Sequence, residues 1–160
     1  PAYTFLLRCH PQMPIARALR LVSVDLTRQP NIVLSDHGRI EDDFTRASIL
    51  LYQGTSSAIY AVAHGLLPIY LHREGAVDRD PLYGLPVWRR RCTSPDEFVA
   101  LLEQHEAAVR SELQAEWERA RRYMADYIGP VTDDHLDAFL DAVGLTRHSS
   151  LITRHSRCTA

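Results

Sequence analysis

Lysine is missing altogether: all 18 basic residues are arginine. Arginine stays protonated throughout the range in which proteins function, so lysine general-base and Schiff-base chemistry is excluded. The arginine-only usage itself reads as a genome bias toward arginine codons. Cysteine is scarce. Cys9, Cys92 and Cys158 are widely spaced, and an odd count without a Cys-x-x-Cys pair speaks against a disulfide framework and against a zinc site. A reduced, cytoplasmic setting is the simplest expectation. No apolar run is long enough to span a bilayer, and no secretory leader is visible. Charge of one sign is not in excess: 18 basic against 20 acidic residues leave a formal net charge of -2. That argues against a nucleic-acid surface as the main business of the chain. Glycine-rich phosphate loops of the dinucleotide and ATP types are absent too. The chain starts at Pro1 without a methionine and enters an apolar run almost at once, which reads as an excised or truncated segment.

What is present is ordinary globular composition, 46% hydrophobic and 24% charged, in 160 residues, enough for one domain with a core. Tyr3 to Arg8 reads as a short buried strand closed by His10-Pro11. Pro14 opens a helix predicted to run to about Arg28, with Ile15, Leu19, Val22 and Leu26 on one face. Further strands are predicted at Ile32 to Leu34, Ser48 to Tyr52 and Pro68 to Leu71, and a fifth at Leu85 to Trp88. Helices are predicted at Ile40 to Arg46 and from the Gly54 turn to His64, where Gly65 supplies the cap. Ser94-Pro95-Asp96-Glu97 is a strong helix start, and helix is expected through much of Phe98 to Tyr127 with a break near His105. Thr132 caps a last helix over 133–143. The continuously apolar strands alternating with helices predict an α/β fold: a doubly wound, Rossmann-like parallel sheet with additional C-terminal helices. The expected organisation is one domain over 1–144 and a flexible tail over 145–160. Right-handed crossovers place the loops after the strands along one edge, where open α/β sheets bind ligands.

Gly54-Thr55-Ser56-Ser57 lies on that edge between a buried strand and a helix. Free backbone N–H groups and hydroxyl donors there attract phosphate, and Gly54 admits close approach. Plain helix capping by Thr55 or Ser56 fits the same residues equally well. His10-Pro11, at the end of the first strand, offers an imidazole to a phosphate, a ribose or a base, or is simply a turn. Ser35 and Asp36, in the turn Ser35-Asp36-His37-Gly38, are placed near a base. Arg73 and Glu74 follow the fourth strand, where Arg73 can pair an anion and Glu74 can meet sugar hydroxyls, and plain exposure is the alternative. The adjacent pairs Asp42-Asp43 and Asp133-Asp134 read as helix-start or solvated-face charges, and Tyr60 and His64 as packing residues. Glu103 to Arg122 reads as an exposed helix face with Glu/Arg pairs.

His10-Pro11 together with Ser56-Ser57 resembles the HP and SS motifs of bacterial sialyltransferases and of related capsule and lipopolysaccharide transferases of the GT-B fold. The stretch Ala47 to Leu71, with its Gly65-Leu66-Leu67-Pro68 turn, is similar to the heart of GT-B donor domains. The resemblance spans roughly Tyr3 to Pro81. It implies the C-terminal, donor-binding half of a metal-independent glycosyltransferase that moves a sugar from a nucleotide sugar, a CMP-sugar in first place, to a surface glycan or lipid. His10 and Ser56-Ser57 would then hold the donor phosphate. No cofactor and no metal are implied, and the acceptor site and the acidic catalytic motif would belong to an N-terminal partner domain not present in this sequence. A nucleotide-sugar epimerase of the same fold is the nearest rival, disfavoured because the helix after the turn, Ala58-Ile59-Tyr60-Ala61, carries no carboxylate. A non-catalytic α/β binding or signalling module is the rival from another class.

Overall fold

The computed structural model describes residues 3–35, 38–130 and 132–144. Asp36, His37 and the tail expected over 145–160 lie outside the described residues. The chain divides into two compact units, Pro1–Ala125 and Asp126–Ala160.

The first unit is mixed α/β, with parallel strands in two small open sheets. Strand β1 (Phe5–Arg8) pairs in parallel with β2 (Ile32–Ser35), and β3 (Ile49–Tyr52), β4 (Leu67–Leu71) and β5 (Arg90–Cys92) form the second sheet with β4 in the middle. Each parallel pair of consecutive strands is joined by a crossover, as parallel geometry requires. Strand β4 explains the apolar character of the second sheet: Leu67, Pro68, Ile69 and Tyr70 are all buried, because both faces are covered.

Helix α3 (Ser57–Ala63) covers β4 through Ala58 and Val62, small enough for close approach, while Ala61 packs with Phe44 and Leu66. It stops where the sequence predicts. Gly65 takes φ +85°, its N–H donates to the Val62 carbonyl (3.0 Å) and Leu66 N–H donates to the Ala61 carbonyl (2.9 Å). That paired closure needs a left-handed residue, hence glycine. Trp117 of α5 (Arg110–Tyr127) packs over this turn and donates its indole N–H to the Val62 carbonyl at 2.8 Å. The preceding helix, α4 (Pro95–Ala107), begins at the predicted cap: the Ser94 hydroxyl accepts Glu97 N–H at 3.2 Å. The Glu97 carboxylate reaches back one residue beyond the cap, accepting from the N–H and hydroxyl of Thr93. The interruption between α4 and α5 falls at Ala108-Val109, just past the predicted position.

Three predicted boundaries need correction. The helix after Pro14 is α1, Ile15–Leu21 only; Val22 is extended, and a separate 3-10 turn at Leu26–Arg28 is capped by the Asp25 carboxylate on Thr27 N–H (3.1 Å). The run Val22-Ser23-Val24 pairs β-branched residues with a serine, which favours leaving the helix. Helix α2 (Ile40–Phe44) is likewise shorter than expected. The fifth strand is not Leu85 to Trp88 but β5, because Trp88 has φ +55°, incompatible with a strand. Trp88 is nonetheless buried and held on three sides: its N–H by Glu116 (2.7 Å), its indole by the Leu66 carbonyl (2.9 Å), and its ring edge-on to His105.

In the second unit, α6 (Asp133–Ala142) starts at Thr132, whose hydroxyl accepts His135 N–H at 3.2 Å. Among the described residues no helix is long and apolar enough to cross a membrane.

Glu116 also takes both terminal nitrogens of Arg90, at 2.9 and 3.0 Å, so the charged face of α5 is in part a clamp on β5. The Arg90 guanidinium holds the Glu116 carboxyl below its ordinary value against the opposing effect of burial. With the folded-state pKa depressed, this stabilisation is complete above the ordinary glutamate value and disappears as the pH falls through the folded-state value. Glu116→Gln is expected to cost about 2 kcal/mol in urea unfolding at neutral pH. The cost should shrink on acidification, and an undiminished cost at about pH 3 would rule out the ionic origin.

Candidate functional site

The strand ends of the second sheet converge on a charged network. Asp80, whose side chain is 0% exposed, accepts from the Tyr52 hydroxyl (2.6 Å), from Leu82 N–H (2.9 Å) and from Arg89 (Nε 2.6 Å). Burial, then the Asp80 carboxylate, pushes the Tyr52 phenol far above its ordinary value, so it stays a donor. Asp78 pairs with Arg91 at 3.6 Å and accepts Asp80 N–H at 3.1 Å. Arg89 and Arg91 are two residues apart, as same-face residues of an extended chain are, and Arg90 between them turns to Glu116.

One cation in this cluster is left over. Arg79 is exposed, and among the described residues no acid pairs with its guanidinium. Its backbone is fixed by donation of its N–H to the Tyr70 hydroxyl at 3.2 Å. Its Cβ stands 3.1 Å from where a Cβ on Gly54 would lie, and Gly54 itself has φ +69°. Glycine is therefore required twice over, by backbone conformation and by the Arg79 stem lying across the turn. The result sets the Arg79 stem against Gly54 at the start of the turn that carries Thr55, Ser56 and Ser57.

Within the turn, the Thr55 and Ser57 hydroxyls lie 2.7 Å apart and Ser57 N–H donates to Thr55 Oγ1 at 3.3 Å. Thr55 thus does the local capping. Ser56 has helical backbone angles, is exposed, and its hydroxyl makes no capping bond, so it is free to meet a ligand.

The remaining predicted residues are distributed differently. The Ser35 hydroxyl is committed: it bonds both carboxylate oxygens of Asp43 (2.8 and 2.7 Å), and Arg8 joins at 2.5 Å to Asp43 and 2.7 Å to the Gly38 carbonyl. Burial pushes the Asp43 carboxyl up, but the Ser35 hydroxyl and Arg8 outweigh it and hold it below its ordinary value. Asp43 is therefore no solvated-face charge; it is a buried tie between the ends of β1 and β2 and helix α2. Asp42 is local, accepting Arg39 N–H at 3.2 Å. Asp36 lies outside the described residues. His10 is an exposed turn residue whose Nδ1 accepts Gln12 N–H at 3.2 Å across Pro11, which in the neutral ring leaves Nε2 as an N–H donor. No hydrogen bond joins His10 to Ser56 or Ser57. Arg73 and Glu74 occupy the exposed turn after β4, closed by Ala76 N–H on the Arg73 carbonyl (3.1 Å) and by Gly75, and among the described residues neither side chain makes a hydrogen bond or ion pair. Tyr60, expected to pack, is 55% exposed, and His64 is exposed with its ring against Phe44.

Tyr52, Arg79, Asp80 and Arg89 were missed by sequence reasoning. The available signal was charge complementarity: Asp78 and Asp80 alternate with Arg79 as Arg89 and Arg91 alternate with Arg90. Among the described residues no group of three or more His, Cys, Asp or Glu side chains is gathered as a metal site.

Removing the Asp80 charge strands the half-buried guanidinium of Arg89. Asp80→Asn is expected to destabilise by about 3 kcal/mol and Tyr52→Phe by about 1 kcal/mol, measured by urea unfolding. An Asp80→Asn variant within about 0.5 kcal/mol of the parent would show that the network is not needed for the fold. No protein-family model matches the chain, and neither the curated proteins nor the solved structures yield a match.

Proposed function

We propose that this chain is the nucleotide-sugar-binding half of a metal-independent glycosyltransferase, holding the donor phosphate at the Gly54–Ser57 turn. The observation that carries the reading is the unneutralised Arg79 fixed across a glycine turn beside a free Ser56 hydroxyl, while both neighbouring acids are matched to Arg89 and Arg91. A guanidinium and hydroxyl donors are the chemistry for a phosphate monoester or diester. Both would gain strength as charge builds on the departing phosphate during cleavage of the glycosidic bond. In the finer fold reading the two sheets are halves of one doubly wound layer of order β2-β1-β3-β4-β5. The switch point then falls between β1 and β3, with His10 and the Ser56 turn after those strands. His10 Nε2–H approaches the phosphate or ribose from the β1 side, and Arg73 and Glu74 border the sugar. The HP and SS motifs favour a CMP-sugar. A partner domain supplies the acceptor, a surface glycan or lipid, together with the catalytic base. The reaction takes place in the cytoplasm, where such donors are found.

A second reading, a non-catalytic α/β binding module, draws support from Ser35, which spends its hydroxyl inside the fold. Calorimetric titration of the chain with CMP, CDP, UDP and GDP separates the two. The donor-domain reading expects saturable binding of one nucleotide, weakened about tenfold by Arg79→Ala and several-fold by Ser56→Ala or His10→Ala, with Arg28→Ala unchanged. Absence of saturable heat with all four nucleotides at millimolar concentration would favour the binding module.

A further inference from the structure

The chain that returns from the end of β1 to the start of β2 carries an uncovered apolar cluster. Leu21, Val22 and Val24 are 71%, 45% and 53% exposed. No residue of α1 is buried, so the helix that leads into this cluster keeps its outer face open. Three aliphatic side chains held in water within four consecutive residues are unfavourable until another surface covers them.

The same stretch is basic within a chain of net negative charge. Residues 11–34 contain Arg17, Arg20 and Arg28 against a single acid, Asp25. Asp25 is already matched, to Arg28 at 3.1 Å. Arg17 and Arg20 are exposed, and neither has an ion-pair partner among the described residues. Arg17 stands four residues before Leu21 on α1, so the two are neighbours on one helix face, and Arg20 flanks Leu21 in sequence. The surface that covers this cluster must therefore be apolar and anionic together.

We propose that the outer face of α1 and the residues that follow it, through Val24, dock on an anionic lipid bilayer. Leu21, Val22 and Val24 enter the headgroup region, and Arg17 and Arg20 meet the lipid phosphates. Aliphatic tips partition into a bilayer without a shaped counterpart, and the long arginine stems let the charge stay at the headgroups. A protein partner fits less well: interface anchors favour aromatic residues over leucine and valine, and residues 11–34 contain no aromatic side chain. The partner domain of the donor reading faces the ligand edge. This segment runs back from that edge toward the start of β2, so its cluster lies away from such a domain.

The test is co-sedimentation of the full chain with vesicles of phosphatidylcholine alone and of phosphatidylcholine carrying about 30% phosphatidylglycerol, at low and high salt. The expected result is binding to the anionic vesicles at least about tenfold tighter than to the neutral ones, weakening as salt screens the arginines. Arg17→Gln and Arg20→Gln should each weaken it about fivefold, and Leu21→Asn and Val24→Asn several-fold each. All four positions are exposed, so equal urea midpoints for parent and variants separate lost binding from lost folding. A parent chain that stays in the supernatant with anionic vesicles overturns the proposal, as does equal uptake by neutral ones. Binding left unchanged by all four substitutions overturns it too, and moves the contact to the arginines of residues 145–160. Self-association that Leu21→Asn abolishes, without vesicle binding by the parent, would make this face a protein interface instead.

Discussion

The buried carboxylate of Asp80 is the constraint on which the loops around the second sheet depend. It gathers the end of β3 through Tyr52, the following loop through Leu82 N–H, and the entry to β5 through Arg89. A charge with no exposed surface is unfavourable unless every lone pair is met, and here the donors come from three segments. Replacing such a network by apolar groups often leaves stability unchanged, so its contribution is better understood as fixing one arrangement of chain segments than as adding free energy. What it fixes is Arg79. With Asp80 anchored on one side and the Tyr70 hydroxyl holding Arg79 N–H, the Arg79 stem is set across Gly54. A guanidinium that would otherwise sample many rotamers starts near the turn, and less entropy is lost when an anion arrives.

A parallel arrangement operates on the first sheet with a different outcome. Asp43, Ser35 and Arg8 tie the ends of β1 and β2 to α2, and every polar group in that knot is used internally. The two strand-end networks therefore divide the work. One consumes its serine and arginine to hold the fold, and the other matches all its acids and leaves Arg79 and Ser56 over. That asymmetry is what favours the second sheet for the proposed phosphate site. The bodies of β1 and β3 present leucine and isoleucine to a cavity between them, with Arg8, Asp43 and Arg46 also in its lining.

Local signals carried much of the fold into view. Strands β1 to β4, the Gly65 closure, the Ser94 cap and the Thr132 cap depend on neighbours within a few residues, and each is placed by the sequence to within a few residues. What escaped depends on distant partners. Asp43 looks like a surface charge until Arg8 arrives from β1. Leu85 to Trp88 has strand composition, yet Glu116 and the Leu66 carbonyl hold Trp88 in a left-handed conformation that ends any strand. In the candidate site, the geometry of the Gly54–Ser57 turn was legible because glycine and hydroxyl residues after an apolar strand are a local pattern. Arg79 was not, since only the folded chain brings it onto Gly54.

The central claim is that Arg79 receives the anion. The side-chain Nε–H resonance of Arg79, followed by NMR while CMP is added, addresses it directly. The account predicts a saturable downfield movement of that resonance in step with the Ser56 amide, at one dissociation constant. An Arg79 resonance that stays in place while CMP saturates other parts of the chain would contradict it.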